Sequence, residues 1–382
     1  MNPLKRLLLP YARRKLLLRE ISGAYTNTLE EWFQAQIRLK FVKESKFRSY
    51  IEKESLNEIE KSDVEKYKLF KLREVLNYVY EKSPFYKGLF RKINLNPEDI
   101  KSFQDFAKMP PTESEEISEN PYRFLCVPQG EILRGFTVEE FFGDERRIFF
   151  TESELKEIVE VIAVGLKIID MRAGNAVQIM YPWEPEWGLP DLVKHGVRLG
   201  NGRPVVSGAL KFEKQIDEIK KNEPSLIIGP NPYLREFTAW AKDRFDLKQL
   251  KVKGLILSRG CNFFPFDETI RKEMEEAWGC KVFDHYGITE ASFALALECY
   301  EQNGLHLNEH DVYVEVIDPD SGETVNIGEE GELVFTTLNR RGMPLIRYRS
   351  KDIATLIDEP CECGAKLSRR IVGIKRKNDE EI

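Results

Sequence analysis

Short β-prone runs alternate with helix-forming segments between residues 152 and 290, and this alternation constrains the fold more than any other sequence feature. The β-prone runs are 176–181, 204–206, 225–228, 254–257 and 281–283, and the helical segments are 152–167, 212–221, 233–242 and 268–278. Strands separated by helices favour βαβ units, in which the strands lie parallel and helices cover the sheet. The sequence therefore predicts an α/β fold with a mainly parallel sheet.

A different pattern follows residue 310. Apolar and polar residues alternate along 312–317 and 332–337, and the turn-forming sequence Asp-Pro-Asp-Ser-Gly lies between them at 318–322. Period-two strands joined by such turns are typical of antiparallel hairpins. We therefore expect a β-barrel-like part after the parallel sheet.

The N-terminal region is dominated by helix formers. Apolar side chains recur at helical spacing between Tyr67 and Val79, and Pro84 ends this pattern. The first 20 residues combine six basic side chains with two leucine triplets, but they lack the long apolar centre and the cleavage site of a signal peptide. They are expected either to dock on their own domain or to form a basic amphipathic helix that contacts a partner or membrane surface.

Composition excludes several classes of protein. The net charge of -6 gives no reason to expect a nucleic-acid partner. The longest uncharged apolar runs, such as 161–166, are too short for a transmembrane segment. Six cysteines in 382 residues do not make a disulfide framework, so we expect a reducing, cytoplasmic environment.

The most motif-rich stretch runs from residue 281 to residue 364. It contains, in order, Asp-His-Tyr-Gly-Ile-Thr-Glu at 284–290, Glu-Cys at 298–299, Gly-Leu-His at 304–306, Gly-Glu-Leu-Val-Phe-Thr-Thr at 331–337, Pro-Leu-Ile-Arg-Tyr-Arg-Ser-Lys-Asp at 344–352 and Cys-Glu-Cys-Gly at 361–364. Together with the segments at 72–86 and 103–110, this order resembles the phenylacetate–CoA ligase family of AMP-forming, adenylate-forming enzymes. The resemblance implies the large N-terminal domain of that fold, with sheets flanked by helices.

Enzymes of that family convert ATP and a carboxylic acid to an acyl-adenylate and pyrophosphate, and a thiol such as coenzyme A then takes the acyl group. The resemblance implies that Tyr286 stacks on adenine and that Thr289 hydrogen-bonds the α-phosphate. It also implies that Glu290 holds Mg²⁺ and that Asp352 binds the ribose hydroxyls. Thr289 and Glu290 would then be the catalytic residues, beside ATP or AMP and Mg²⁺ as cofactors.

Gly287 and Arg349 belong to the same two motifs, and the resemblance implies that they also contact the nucleotide. An aromatic, a hydroxyl and a carboxylate within five residues after a strand suit a ligand at the carboxyl edge of a sheet. The alternative is a strand–turn–helix junction in which Tyr286 and Thr289 only pack and cap.

A second set of residues resembles the acid-binding loop of the same family. The substrate-pocket residues implied by this resemblance are Tyr181, Trp183, Trp187, Gly188 and His285. Trp183 and Trp187 would line a flat hydrophobic slot, since such pockets are mostly apolar with a few polar groups. The alternative for the tryptophans is core packing. For His285 the alternatives are a general base and a side chain that fills space or bonds the backbone.

Two pairs of metal-ligating residues stand out. Cys299 and His306 are seven residues apart, and Cys361 and Cys363 are separated by one residue. Thiolate and imidazole are the ligands that structural Zn²⁺ prefers, and four of them close a tetrahedral site. We therefore predict a structural zinc ion at these four residues, with His310 as an alternative ligand. The other interpretation is four residues without a metal.

The sequence departs from the family pattern in three places. The family's phosphate loop is rich in Ser, Thr and Gly, whereas residues 138–145 read Val-Glu-Glu-Phe-Phe-Gly-Asp-Glu, with four carboxylates near the expected triphosphate. The adenine-pocket sequence Gly-Ala-Glu-Pro is replaced at 259–265 by Arg-Gly-Cys-Asn-Phe-Phe-Pro. After residue 373 the expected arginine is missing, and the chain stops at Ile382, so we expect the mobile C-terminal domain of the family to be absent.

These observations predict four segments and leave three functions open. The segments are a helical extension at 1–60, an α/β adenylation-type core at 61–295, a zinc-stapled β-rich part at 296–373 and a hinge remnant at 374–382. The first function is an acyl- or aryl-CoA ligase that is impaired or is completed by a partner protein, with a homodimer among the allowed assemblies. The second is a non-catalytic homologue that binds an acyl or aromatic ligand or a protein. The third is an enzyme that uses a different nucleotide or activated donor.

Overall fold

The computed structural model describes residues 28–138, 145–182, 188–259 and 266–376. Its α-helices are α1 (Leu29–Lys43), α2 (Ser45–Ile51), α3 (Lys61–Lys82), α4 (Pro84–Lys92), α5 (Phe103–Ala107), α6 (Ser114–Glu119), α7 (Glu152–Ile168), α8 (Leu189–Leu199), α9 (Phe212–Asn222), α10 (Asn231–Lys242) and α11 (Glu268–Trp278). Short 3-10 helices lie at Pro97–Asp99, Pro121–Phe124, Gln129–Glu131 and Leu247–Leu250. Within the described ranges, no helix is long and apolar enough to cross a membrane.

The strands form one large mixed sheet and one small hairpin. They are β1 (Ile132–Val138), β2 (Arg146–Thr151), β3 (Ala176–Ile179), β4 (Arg203–Val206), β5 (Leu226–Pro230), β6 (Gly254–Ser258), β7 (Lys281–Ile288), β8 (Ser292–Glu298), β9 (Leu305–Leu307), β10 (Val312–Ile317), β11 (Glu330–Thr337), β12 (Tyr348–Ile357) and β13 (Arg370–Arg376). β1 pairs only with β2 in the described part of the chain, and the other strands follow the order β10-β11-β12-β13-β9-β8-β7-β6-β5-β3-β4.

The large sheet has a parallel half and an antiparallel half that meet at β7. Strands β4, β3, β5, β6 and β7 are parallel neighbours. From β7 through β8, β9, β13, β12 and β11 to β10, every pair is antiparallel. The five predicted strands between residues 176 and 283 all lie in the parallel half, which confirms the predicted α/β class. The strands expected after residue 310 continue the same sheet.

Helices α7 and α8 cover one face of the parallel half. Thr151 caps α7, and its hydroxyl accepts a hydrogen bond from the Glu154 amide in a capping box. Gly196 lets α8 approach α7 closely, because a β-carbon there would lie 2.5 Å from Ile162 Cγ2. Val193 of α8 packs with alternate residues of the strands beneath it, including Ile228. This helix–sheet layer forms one wall of the candidate site.

Helix α1 is fixed against the body of the protein from both sides. Trp32 and Ile37 pack in one apolar cluster with Val161 of α7. Glu30 is buried, and its carboxylate accepts hydrogen bonds from consecutive backbone amides at 366–368. The described part of the predicted extension is therefore helical and docked, and residues 1–27 lie outside the described residues. The segment boundaries predicted at 60, 295 and 373 stay predictions.

Candidate functional site

A mainly apolar cavity of about 320 Å³ lies between helices α7 and α8 and the sheet. Its wall includes Tyr181, which follows β3, and His285 on β7, two of the residues predicted for the acid pocket. Parallel strands present their carboxyl ends at one edge of the sheet, which is where ligands of open α/β sheets bind. Leu29 of α1 and Cys363 also line the cavity. The cavity therefore runs from the strand edge towards the docked N-terminal helix.

His285 supplies an uncommon polar atom to this wall. Its Nδ1 atom is buried and has no hydrogen-bond partner among the described residues. Burial lowers the pKa of His285 by more than the negative charge of Asp284 raises it. The imidazole is therefore neutral at pH 7. A neutral imidazole nitrogen beside an apolar cavity can orient a polar group of a ligand. Gly188 lies at the start of α8, whereas Trp183 and Trp187 lie outside the described residues.

Tyr286 and Asp352, predicted to contact adenine and ribose, lie side by side. The Tyr286 hydroxyl donates to Asp352 Oδ2 at 2.6 Å, and Arg376 Nη1 lies 3.3 Å from Asp352 Oδ1. Burial raises the pKa of Asp352 to about 6, against the lowering effect of Arg376 and Tyr286. The Tyr286 ring lies 6.3 Å from the ring of Phe335 in the core of the antiparallel half. Tyr286 and Asp352 are therefore buried and bonded to each other, and their nucleotide-binding roles stay predictions.

Glu290 is held by two arginines and a tyrosine. Arg146, the first residue of β2, places Nε 3.1 Å and Nη2 3.0 Å from Glu290 Oε1. The Tyr348 hydroxyl donates to the same oxygen at 3.0 Å. Arg340 donates to the main-chain carbonyls of Glu290 and Ala291 at 2.9 and 2.8 Å. The side chain and the backbone of Glu290 are therefore both fixed, and an arginine contacts the carboxylate that the resemblance assigns to Mg²⁺.

The remaining predicted nucleotide residues have contacts of different kinds. Thr289 is half-buried in the turn between β7 and β8. A β-carbon on Gly287 would lie 2.4 Å from the Phe293 carbonyl oxygen, so the close approach of β7 and β8 requires glycine there. Arg349 Nε lies 3.1 Å from each carboxylate oxygen of Glu332. The structure thus accounts for Gly287 and Arg349 by strand packing and an ion pair, and their roles toward a nucleotide stay predictions.

Two arginines at the strand edge were not predicted from the sequence. Arg259, which follows β6, donates from Nε to both oxygens of Asp284 at 3.1 and 3.0 Å and from Nη1 to the Ile374 carbonyl at 2.9 Å. Arg146 binds a glutamate 144 residues further along the chain. The only sequence signal for Arg146 is a basic pair, Arg146 and Arg147, after an acidic run, and no spacing rule connects it to Glu290.

The four predicted metal ligands come together from three places, which are the residue after β8, the middle of β9 and the turn between β12 and β13. Their ligand atoms all lie within 4.8 Å of one another. Cys299 and Cys361 have their sulfur atoms 3.8 Å apart, and Cys363 Sγ lies 3.5 Å from His306 Nε2. Tetrahedral zinc with bonds of about 2.0–2.3 Å places its ligands about 3.3–3.8 Å apart, so this donor set fits Zn²⁺. His310, the alternative ligand, is bonded instead to the Tyr67 hydroxyl at 2.8 Å.

The chain is similar to known AMP-binding enzymes. Residues 196–339 match the family model described as AMP-binding enzyme. Phenylacetate-coenzyme A ligase of Aromatoleum evansii is 30% identical over 336 residues, which are 87% of this chain and 73% of that protein. The enzyme of the same description from Pseudomonas putida is 28% identical over 320 residues, 83% of this chain and 71% of that protein.

Solved structures agree on the fold. An open conformation of 2-hydroxyisobutyryl-CoA ligase, in complex with 2-HIB-AMP and CoA, matches with a TM-score of 0.76. It is 23% identical, and the match covers 84% of this chain and 76% of that one. At this identity the match shows the fold alone, which is a large sheet flanked by helices.

Proposed function

Because this chain belongs to the phenylacetate–CoA ligase family, we propose that it binds a carboxylic acid with an apolar body and joins it to AMP as an acyl-adenylate. The cavity of about 320 Å³ beside His285 carries this proposal. An apolar cavity of about 150 Å³ holds benzene, so twice that volume suits an aromatic acid or an acyl chain of moderate length. In the proposed reaction the carboxylate oxygen attacks the α-phosphorus of ATP, and pyrophosphate leaves.

The roles proposed for the residues follow from their positions. His285 would direct its unpartnered Nδ1 at a polar group of the acid, and Tyr181 would pack against the apolar body. Tyr286, near the carboxyl end of β7, and Asp352, in β12, would bind the nucleotide, but each already bonds the other. Breaking the Tyr286–Asp352 hydrogen bond costs free energy, so we propose that turnover of the isolated chain is low. Coenzyme A as the acceptor follows from the family and is part of the same proposal.

We also propose that Zn²⁺ is held by Cys299, His306, Cys361 and Cys363 as a structural ion. Four protein ligands leave no open coordination position, so the ion would stabilise the fold and would not activate water. It would fix the turn between β12 and β13 to the end of β8, next to the cavity. A cytoplasmic location, a homodimer and a partner protein that brings the family's C-terminal domain stay predictions.

The test combines acid binding with pyrophosphate release. A panel of aromatic and straight-chain acids is titrated into the protein by calorimetry, and pyrophosphate is then measured with ATP, coenzyme A and each acid. The Gly165→Val variant places a side chain in the cavity, where a β-carbon would meet Leu297 Cδ2 at 3.1 Å, and the reduced cavity volume should weaken binding of the larger acids. Gly88→Val is the matched control, because nothing lies within 4 Å of that helical glycine. If no acid binds and none releases pyrophosphate, the proposal is wrong.

The second candidate is a non-catalytic homologue that binds an acyl or aromatic ligand. Two contacts favour this candidate, because Arg146 bonds Glu290 and Tyr286 bonds Asp352, so both carboxylates already have partners. The same two measurements separate the candidates. Acid binding that depends on the cavity, without pyrophosphate release under any condition or with any added partner, supports the second candidate over the first.

A further inference from the structure

The Arg146–Glu290 pair is a buried ion pair. Both side chains are only 5% exposed, and they lie 3.0 Å apart. Glu290 Oε1 accepts from two guanidinium nitrogens and from the Tyr348 hydroxyl, which together fill the acceptor capacity of one oxygen. Mg²⁺ requires near-ideal octahedral geometry with oxygen ligands at about 2.0–2.1 Å. The residues as folded therefore do not fit Mg²⁺ at this oxygen of Glu290.

Movement of Glu290 away from Arg146 is opposed by its surroundings. Arg340 holds the carbonyl of Glu290 at 2.9 Å, and the Arg340 guanidinium lies 4.1 Å from the centre of the Phe150 ring. Phe150 belongs to β2, the strand that begins with Arg146. A cation–π contact and main-chain hydrogen bonds thus join the turn that carries Glu290 to the strand that carries Arg146. The two partners of the ion pair belong to one packed unit.

The positive charge of this unit is arranged differently from that of a magnesium site. Glu290 with Mg²⁺ has a net charge of +1, and Mg²⁺ can bridge two phosphates of a nucleotide. Glu290 with Arg146 and Arg340, which stay protonated, also has a net charge of +1, but both guanidinium groups already bond Glu290 and neither can bridge phosphates as a metal ion does. A site of this kind is suited to a ligand with a single phosphate, such as an adenylate. It gives no comparable stabilisation to the triphosphate of ATP.

We propose that Arg146 takes the place of the divalent cation beside Glu290, and that the cleft binds a nucleoside monophosphate group without Mg²⁺ in preference to MgATP. This inference rests on the proposed function for the position of the nucleotide and adds the class of nucleotide that the site favours. Arg146 acts as a specificity-determining residue, and Glu290 orients its guanidinium.

Calorimetric titrations of the zinc-loaded full chain with AMP and with ATP, each in excess Mg²⁺ and in its absence, test the proposal. Wild type should bind AMP with a dissociation constant that changes less than about twofold on adding Mg²⁺, and MgATP at least about tenfold more weakly than AMP. A tenfold or greater tightening of ATP binding by Mg²⁺ in wild type overturns the proposal, as does the absence of AMP binding. Neither result bears on acid binding in the cavity, so the failure of this inference is distinguishable from that of the proposed function.

Three variants test whether the Arg146–Glu290 ion pair makes nucleotide binding independent of Mg²⁺. Arg146→Ala should make nucleotide binding depend on Mg²⁺ by about tenfold or more, because the Glu290 carboxylate loses the arginine that is bonded to it. Arg146→Lys keeps the charge and should stay independent of Mg²⁺, and it serves as the test if Arg146→Ala does not fold. Arg147→Ala is the matched control, since Arg147 is exposed on the same strand. Binding to Arg146→Ala that remains independent of Mg²⁺ overturns the proposal.

Discussion

Replacement of Glu30 by Ala is expected to release helix α1 from the turn that carries two of the proposed metal ligands. Glu30 Oε2 accepts from the backbone amides of Lys366, Leu367 and Ser368 at 2.7, 2.6 and 2.9 Å and from the Ser368 hydroxyl at 3.1 Å. These donors are mostly shielded from water, and Glu30 itself is buried. The alanine variant leaves them without an acceptor in the folded state.

The magnitude follows from the number and the charge of these bonds. A hydrogen bond to a charged group contributes about 1.5–3 kcal/mol, and a buried donor left without a partner costs about 1–3 kcal/mol. Because the turn relaxes and water enters, we expect a local loss of about 4 kcal/mol rather than the full sum. Since about 1.4 kcal/mol is a tenfold change in an equilibrium constant, the protection of these amides should fall by about three orders of magnitude.

Hydrogen exchange of the peptide that covers residues 366–368 measures this loss directly. Glu30→Gln keeps one neutral acceptor oxygen and should lie between wild type and Glu30→Ala. Glu31→Ala is the control, because Glu31 is exposed on the same turn of α1 and should change the exchange by less than about 0.5 kcal/mol. If Glu30→Ala lowers protection by less than about tenfold, the carboxylate does not anchor the helix and the reasoning fails.

Two further predictions concern the metal and the buried carboxyl group. Purified protein should contain about one equivalent of zinc by elemental analysis, and Cys361→Ser should retain less than about half, with a lower unfolding temperature; full occupancy in the variant would contradict the four-ligand site. The pKa of Asp352 is about 6 in the folded protein, whereas its ordinary value is 3.8. Protonation of Asp352 therefore stabilises the fold fully below about pH 4, and this stabilisation is lost as the pH rises through about 6. The unfolding free energy of wild type relative to Asp352→Asn should therefore fall by about 2 kcal/mol between about pH 4 and pH 7, and a constant difference over that range would contradict the raised pKa.

The parallel half of the sheet was readable from the sequence because its strands are short runs of Val, Ile and Leu between helical segments. Helix α8 was not among the predicted helices, and its eleven residues include Pro190 and Gly196, two residue types that are unfavourable inside helices. In the structure Pro190 lies in the first turn of α8, where a missing amide costs nothing, and Gly196 provides room for Ile162. Pro190 is therefore explained by its place in the helix, and Gly196 is explained by tertiary packing.

Strand β8 was missed for a different reason. Its sequence, Ser-Phe-Ala-Leu-Ala-Leu-Glu, is rich in helix formers, but it pairs with β7 on one side and β9 on the other. Strand propensity depends strongly on such pairing, which a local pattern does not contain. The cluster of Cys299, His306, Cys361 and Cys363 was predictable, because the metal-binding chemistry of Cys and His side chains is independent of the chain path that joins them. The Arg146–Glu290 pair was not, since it depends on how β2 packs against the β7–β8 turn.

Strand β7 places alternate side chains of the 283–286 sequence in two different surroundings, one apolar and one polar. Successive side chains of a strand point to opposite faces. Phe283 packs in the cluster beneath α7 and α8, and His285 on the same face lines the cavity. Asp284 and Tyr286 point to the other face, where their partners are Arg259 and Asp352. The apolar cavity and the bonded pairs of Asp284 and Tyr286 are therefore separated by the thickness of one strand.

If an acid binds at His285 and a nucleotide at Tyr286, as proposed, they would contact each other only past the carboxyl end of β7, where Thr289 and Glu290 lie. Because the cavity is lined mainly by apolar residues and the other face of β7 by ion pairs and hydrogen bonds, a substitution of a charged residue on that face is expected to leave the cavity unchanged.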